Sequence, residues 1–416
     1  MPNDSLSFLA DLLASPELAQ LSRVVETRHP DAAVLTATAL ARQARTLAVV
    51  VPTRALDACC RALGERLPAT EVTAVRWGDG LVELGPAVVI DERVFFDGIA
   101  AEPFEALLPA FDHWLIAEGD GLVDRLRRAL RTSTQDSRAC GFLESRLGLG
   151  HAEGSTSFVS ANQLRRTELA CVPYLLRSDP NRVFYLQRTR RGRELRSDII
   201  SAGDAMASFL ERSRVTVLGR ALAVDGDLSF AMQELGLQAD PHVDARAVRE
   251  DLLLFAPHLP RYSEREWPTQ VVDAARRVVG LAPEVTVLAS AWNRDDLGRA
   301  LRSQLSASVS IGHPAREVEL SRVVVLDRVP LDVGEPAHTA QRERTARWFR
   351  TVGMPRAVQR FRLLASRVAR GGAMVVLDGR MRSRWAEGFW RALPGAHTAD
   401  WDAFRDWVSD DQGGVR

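Results

Sequence analysis

The sequence predicts an α/β protein of two parallel-sheet lobes, with a mainly helical insertion in the first lobe. Three observations predict it. Short apolar runs without alternation, such as Leu47–Val51 and Ala87–Ile90, are separated by helical stretches. Strands of that kind are buried on both faces, as in a parallel sheet covered by helices. The rhythm lapses over an Arg-rich stretch at about 121–196, and it starts afresh after a loop holding Pro257, Pro260 and Pro268. The domain boundaries read from this are 1–239 for the first lobe, with the insertion at about 121–196, and 240–416 for the second.

Taken in order, a helical N-terminal stretch precedes the run Leu47–Val51, which ends at Pro52-Thr53-Arg54 and passes into a helical pattern through Leu63. The run Ala87–Ile90 is followed by Asp91 and a helix-like segment, and Trp114–Ile116 ends at Ala117-Glu118-Gly119-Asp120. After the insertion, Val215–Leu218 resumes the sheet. In the second lobe, Val271–Val279 reads as helix, Val285–Ala289 as strand, Asp295–Leu305 as helix and Val323–Leu326 as strand. Ala340–Phe349 and Ala357–Ala369 then read as helices, and Met374–Leu377 as the last strand.

Composition narrows the chemistry. The chain has 416 residues with 54 acidic and 54 basic side chains, and every basic one is Arg. Without Lys there is no Schiff-base chemistry, no Lys base and no phosphate-gripping Lys of a P-loop. No apolar run approaches the ~18 residues that cross a bilayer, and no basic region precedes an apolar core at the N-terminus, so no membrane contact and a cytoplasmic location are expected. Cys59, Cys60, Cys140 and Cys171 lack paired CxxC spacing, which points to free thiols rather than a zinc ribbon or disulfide framework. The eight His are scattered and no G-x-S-x-G elbow is present, so a His metal site and a hydrolase triad have no anchor.

Charge is segregated along the chain. Residues 1–124 hold 19 acids against 9 Arg, whereas residues 341–391 hold 13 Arg against 3 acids. Trp348, Phe349, Phe361, Trp385, Phe389 and Trp390 are interleaved with the second block. Guanidinium groups with rings between them could grip a polyanion and stack on its bases. The plainer alternative, an amphipathic helical region whose aromatics are core, stays open on the spacing alone.

Several stretches, in order, resemble the DinG/XPD branch of superfamily-2 DNA helicases. Val324-Val325-Leu326-Asp327-Arg328-Val329-Pro330-Leu331 resembles the family's strand and K-L-P-F turn, and Met354-Pro355-Arg356-Ala357-Val358 its L-P-x-A helix start. Phe361 to Arg370 sits where the family has Q-x-x-G-R-x-x-R, and Gly372 to Arg380 is similar to its closing G-x-x-x-x-L-D-x-R. In the first half, Pro52-Thr53-Arg54-Ala55-Leu56, Val88-Val89-Ile90-Asp91-Glu92 and Leu107 to Ile116 resemble the segments leading to the D-E-A-H box. The resemblance implies two RecA-like lobes.

The departures bear on activity. ATP hydrolysis in this family needs backbone amides and a Lys around the phosphates, carboxylates for Mg²⁺ and water, and Arg from the second lobe. Where the P-loop would fall, Glu26-Thr27-Arg28-His29-Pro30-Asp31-Ala32-Ala33-Val34 has no glycine, with Ala33 in place of Lys and Val34 in place of Thr. Ala117 replaces the Asp that would hold Mg²⁺, while Glu118 survives as a residual Walker B Glu. The family's Gln becomes Leu363, whereas Arg367 and Arg370 remain as residual arginine fingers. The interval that would hold the iron–sulfur cluster is short and contains only adjacent Cys59 and Cys60, so no cluster is expected.

These features predict a pseudo-helicase with no cofactor, binding single-stranded or forked DNA, or docking on an active helicase, replication or repair protein, in repair, replication or defence. The residues expected to meet phosphate are Arg54, Arg188, Arg190, Arg191, Arg193, Arg356 and Arg360. Two alternatives remain: an ATP- and Mg²⁺-dependent helicase completed by a partner, and an unrelated α/β cleft enzyme.

Overall fold

The computed structural model describes residues 3–78, 84–100, 110–135, 158–160, 181–189, 192–244, 250–261, 263–282, 284–289, 297–299, 301, 309–312, 320–331 and 335–410. They divide into two compact units. The first comprises residues 1–222, 228–244 and 332–351, and the second 223–227, 245–331 and 352–416.

In the first unit the strands are β1 (Arg23–Glu26), β2 (Leu47–Val51), β3 (Val72–Val75), β4 (Ala87–Asp91), β5 (His113–Ile116), β6 (Thr132–Thr134), β7 (Phe158–Ser160), β8 (Arg182–Thr189), β9 (Gly192–Ile199), β10 (Val215–Gly219) and β11 (Asp240–Val243). Seven form a parallel sheet in the order β11-β1-β10-β5-β2-β4-β3. Every residue of β1, β2, β4, β5 and β10 is buried, which is why β2, β4 and β10 run mostly apolar instead of alternating. On one face, Val49, Val89, Leu115 and Leu218 pack with Leu40, Leu56 and Leu63 from the helices Ala32–Gln43 and Leu56–Arg66. Trp114 packs edge-on against Phe209, whose ring also meets Phe95 edge-on.

The described part of the insertion holds strands as well as helix. Its described residues include the helix Leu122–Ala129 and a four-stranded antiparallel sheet in the order β6-β9-β8-β7. The β-forming run Val183-Phe184-Tyr185 and the period-two spacing of Leu195, Ser197 and Ile199, all buried, favour strand over helix there. Arg131 and the Tyr185 hydroxyl both donate to buried Asp198, fixing β8 and β9 to the end of the preceding helix.

A helix from the second half of the sequence completes this unit. The reading Ala340–Phe349 is displaced: the helix runs Pro336–Arg344, with proline in the first turn, where its missing N–H has no intrahelical role. Ala337 and Ala340 pack against Val183 and Ile200, and buried Arg127 donates to the Ile200 carbonyl (2.7 Å) and approaches Nε2 of His338 (2.8 Å).

The second unit contains β12 (Leu253–Phe255), β13 (Val285–Leu288), β14 (Val309–Gly312), β15 (Ser321–Leu326), β16 (Val368–Val376) and β17 (Ala396–Thr398), all parallel in the order β14-β13-β15-β16-β12-β17. Val323 and Val325 face a core built with Trp267, Val271 and Phe404, while Val324 and Leu326 face another built with Phe361 and Phe389. Layers on both faces of the sheet account for the unbroken apolar run. The predicted helices at Val271–Val279 and Ala357–Ala369 appear as Trp267–Leu281 and Met354–Ala365. Most of the predicted Asp295–Leu305 helix lies outside the described residues. No helix among the described residues is long and apolar enough to cross a membrane.

Candidate functional site

The carboxyl ends of parallel strands form the rim where α/β folds receive ligands, and the motif positions of the first unit converge there. β1 passes through Thr27–Asp31 straight into the helix Ala32–Gln43. Three amides of this short loop are engaged by the protein itself: Thr27 N–H donates to the Gly219 carbonyl (2.9 Å), His29 N–H to Thr27 Oγ1 (3.3 Å) and Asp31 N–H to His29 Nδ1 (3.2 Å). A phosphate cradle needs several amides aimed at one point and open to the ligand. This loop spends these three on its own neighbours.

At the end of β5, the Glu118 carboxylate takes both of its contacts from one guanidinium, Arg54 Nη2, at 3.0 and 3.3 Å. Asp120 accepts from the amides of Arg220 (2.6 Å) and Ala221 (2.7 Å), at the end of β10. Burial pushes the Asp120 carboxyl up, while those two amide bonds favour its ionised form. Two glycines make the approach possible. A Cβ on Gly119 would run into Val217 and the Leu218 carbonyl, and one on Gly219 would stand 2.9 Å from Asp120 Oδ1.

Arg125 closes the same rim. Its Nε donates to Glu92 Oε2 at 2.8 Å, and its terminal nitrogens donate to the backbone carbonyls of Glu118 and Asp120. Asp91 serves β4 as a cap, accepting from Arg93 N–H (2.9 Å) and Thr53 Oγ1 (3.0 Å). Polar contacts therefore link the ends of β4, β2, β5, β10 and β1 to one another. The residues present do not fit a nucleotide with its divalent ion: the amides of Thr27, His29 and Asp31 are engaged, and Ala33 and Ala117 offer no charge. Among the described residues, no three His, Cys, Asp or Glu side chains are grouped so as to hold a metal ion.

The other candidates are dispersed. Arg356, expected to meet phosphate, is buried, 5% exposed, in the first turn of the Met354–Ala365 helix. Arg360 and Arg367 are partly buried, and the Arg367 carbonyl accepts from Ser321 N–H. Arg370 is strongly exposed, with Nε 3.9 Å from Asp251. Arg188 and Arg193 occupy opposed register positions near the end of the β8–β9 hairpin, whereas Arg190 and Arg191 lie outside the described residues.

Sequence reasoning missed Arg125, Arg127 and Arg362, the last buried and donating to the Ala223 carbonyl. The large amphipathic contrast of the Leu122–Ala129 helix was the available signal for the first two, since a buried Leu122 and Leu126 place Arg125 and Arg127 along the margins of the inward face. The interleaved aromatics resolve mostly as core: Phe361 and Phe389 are fully buried with ring centroids 5.1 Å apart, and Trp385 and Trp390 pack against them. Phe349 differs, with 42% of its surface exposed. Cys59 is buried and its thiol is pushed up to about 12 by burial and then by Cys60, while Cys140 and Cys171 lie outside the described residues.

No protein-family model matches the sequence, and no curated protein is similar to it. Solved structures are similar in fold. An apo XPD structure superposes with a TM-score of 0.69 at 10% identity, over 94% of this chain and 99% of that one. An XPD helicase gives 0.67 at 10% identity, over 95% and 98%, and Xpd4 of S. tokodaii gives 0.61 at 11%, over 94% and 100%. The chain thus shares the fold of these XPD structures, with RecA-like parallel sheets, and at the level of fold the resemblance read from its motifs is borne out.

Proposed function

We propose that this chain is a catalytically degraded helicase homologue that binds single-stranded or forked DNA, alone or docked on an active helicase, replication or repair protein, and does not turn over ATP. One observation carries this reading: the rim that would hold nucleotide is closed by its own side chains. The amides of Thr27, His29 and Asp31 are taken by Gly219, Thr27 and His29, and the surviving Glu118 is paired with Arg54. An Arg cannot readily replace a P-loop Lys as a point charge in a tight phosphate loop, and here even Arg is absent from position 33. In this reading Arg367 and Arg370, the residual fingers, have no γ-phosphate to meet. Neither Mg²⁺ nor an iron–sulfur cluster takes part.

DNA contact falls to guanidinium groups, with the exposed Arg370 the leading position in the second unit and the end of the β8–β9 hairpin, where Arg188 and Arg193 lie, the candidate in the first. Counterion release makes such binding strongly salt-dependent. The test is a titration with labelled single strand at two salt concentrations, alongside ATP binding and turnover. Salt-sensitive strand binding without nucleotide binding supports the proposal. ATP turnover that Glu118→Gln abolishes would replace it with a working ATPase, and binding of neither ligand would remove the nucleic-acid role.

A further inference from the structure

The segment from Arg342 to Gly353 is basic, exposed and conformationally strained, and no motif of the helicase pattern accounts for it. Arg342, Arg344, Arg347 and Arg350 are all exposed, and Glu343 is the one acid among them. Among the described residues no ion pair engages Arg342, Arg347 or Arg350, in contrast to Arg54, Arg125 and Arg131, each held by a carboxylate. Arg347 adopts the left-handed region at φ 56, uncommon for a residue with a long side chain. Directly after it, Phe349–Gly353 forms a π-helical turn, which presents Phe349 with 42% of its surface exposed. Strained backbone of this kind persists where the surroundings over-determine it, and it clusters at binding sites.

The surroundings here do over-determine it. The preceding helix is anchored on its inner side by Ala337 and Ala340 against Val183 and Ile200, and by the buried Arg127 at His338. Its outer side and the turn beyond therefore offer guanidinium groups from a fixed base, which lowers the ordering cost of binding.

We propose that residues 342–350 form a single-strand binding surface of the first unit, with Arg342, Arg344, Arg347 and Arg350 on phosphates and Phe349 stacked on an unpaired base. Charge complementarity selects a polyanion. The exposed ring beside the guanidinium groups selects an unpaired strand over a duplex, because only unstacked bases offer their faces. The proposal rests on the reading of the chain as a nucleic-acid binder and adds where on the molecule the strand lies.

The experiment uses the full chain and a labelled mixed-sequence DNA strand of about 20 nucleotides, with an abasic strand of equal length as control. Arg347→Gly with Arg350→Gln removes two charges while giving position 347 the residue its backbone favours. This double variant is expected to bind about tenfold more weakly, with a salt slope shallower by about 1.4, from about 0.7 per phosphate contact. Phe349→Ala is expected to weaken binding to the normal strand about tenfold and leave binding to the abasic strand unchanged. Wild-type binding with both variants unaltered would overturn this surface and leave the broader function standing. No strand binding by the wild type at low salt would overturn both. Equal competition by poly-glutamate would overturn it in favour of an acidic protein partner.

Discussion

His113 carries a pH liability that the structure allows to be worked through. It is fully buried at the start of β5, with Nδ1 3.2 Å from the Ala19 carbonyl and Nε2 2.9 Å from Thr216 Oγ1. Both contacts suit the neutral ring, donating at Nδ1 and accepting at Nε2. Burial, reinforced by Arg23 and Arg214, lowers the pKa from 6.5 to about 4, although the Ala19 bond works in the opposite direction. The native state thus resists a proton that the unfolded chain accepts. Its contribution to stability is complete above the unfolded pKa of 6.5 and is lost as pH falls towards about 4. At about 1.36 kcal/mol per pH unit, the full loss is on the order of 3 kcal/mol, with about 1.4 kcal/mol gone at a pH one unit below the unfolded value.

The assay is urea unfolding of wild type and His113→Gln across this pH window. Carboxylates titrate in both proteins, so the informative quantity is the difference between the two curves. Wild type is expected to lose its margin over the variant steadily on acidification, by on the order of 2 to 3 kcal/mol by the acid end. Parallel curves would refute the reasoning, since they would mean that His113 binds its proton equally in both states.

Three other perturbations test the packing around the rim and the insertion. Arg125→Ala removes the partner of Glu92 and the donors to the Glu118 and Asp120 carbonyls, so thermal unfolding should register a loss of about 3 kcal/mol. Arg54→Ala, by contrast, breaks a pair whose side chains are 50% and 41% exposed, and chemical denaturation should detect less than about 1 kcal/mol. Arg127→Met leaves the Ile200 carbonyl and His338 without their buried donor. Limited proteolysis should then cut the Pro336–Arg344 helix faster, at a stability cost of about 2 to 4 kcal/mol. Native-state alkylation followed by mass mapping should leave Cys59 unmodified at pH 8, because its thiol is buried and stays protonated to about 12.

Much of the fold was legible from local pattern. Leu47–Val51 and Ala87–Asp91 are buried on both faces, and their sequences are unbroken runs of apolar residues up to the terminal Asp91. β1 went unread, because Arg23-Val24-Val25-Glu26 is too short and too charged to stand out. Arg23 is nevertheless buried, donating to the carbonyls of Glu17 and Leu18. The strands within the Arg-rich insertion went unread because charge density resembles that of a solvated helix, while the strand pattern rests on a few residues such as Val183, Tyr185 and Leu195. At the site, alanine at positions 33 and 117 was visible in the residues themselves. The replacement contacts were not, since Asp120 meets the amides of Arg220 and Ala221 across about a hundred positions of chain.

Sequence by itself determined the α/β class, the order of helicase-like segments and the absence of any Lys for phosphate, because these depend on residue identity and short-range periodicity. Tertiary structure alone decided which charges are engaged. It sank Arg356 and Arg362 into the second unit, tied Arg54 to Glu118, and left Arg342, Arg347 and Arg350 at the surface. Identical guanidinium groups in one basic block acquire opposite roles because burial and partner geometry are set by strands and helices brought together from distant parts of the chain. No local pattern in the block encodes that difference.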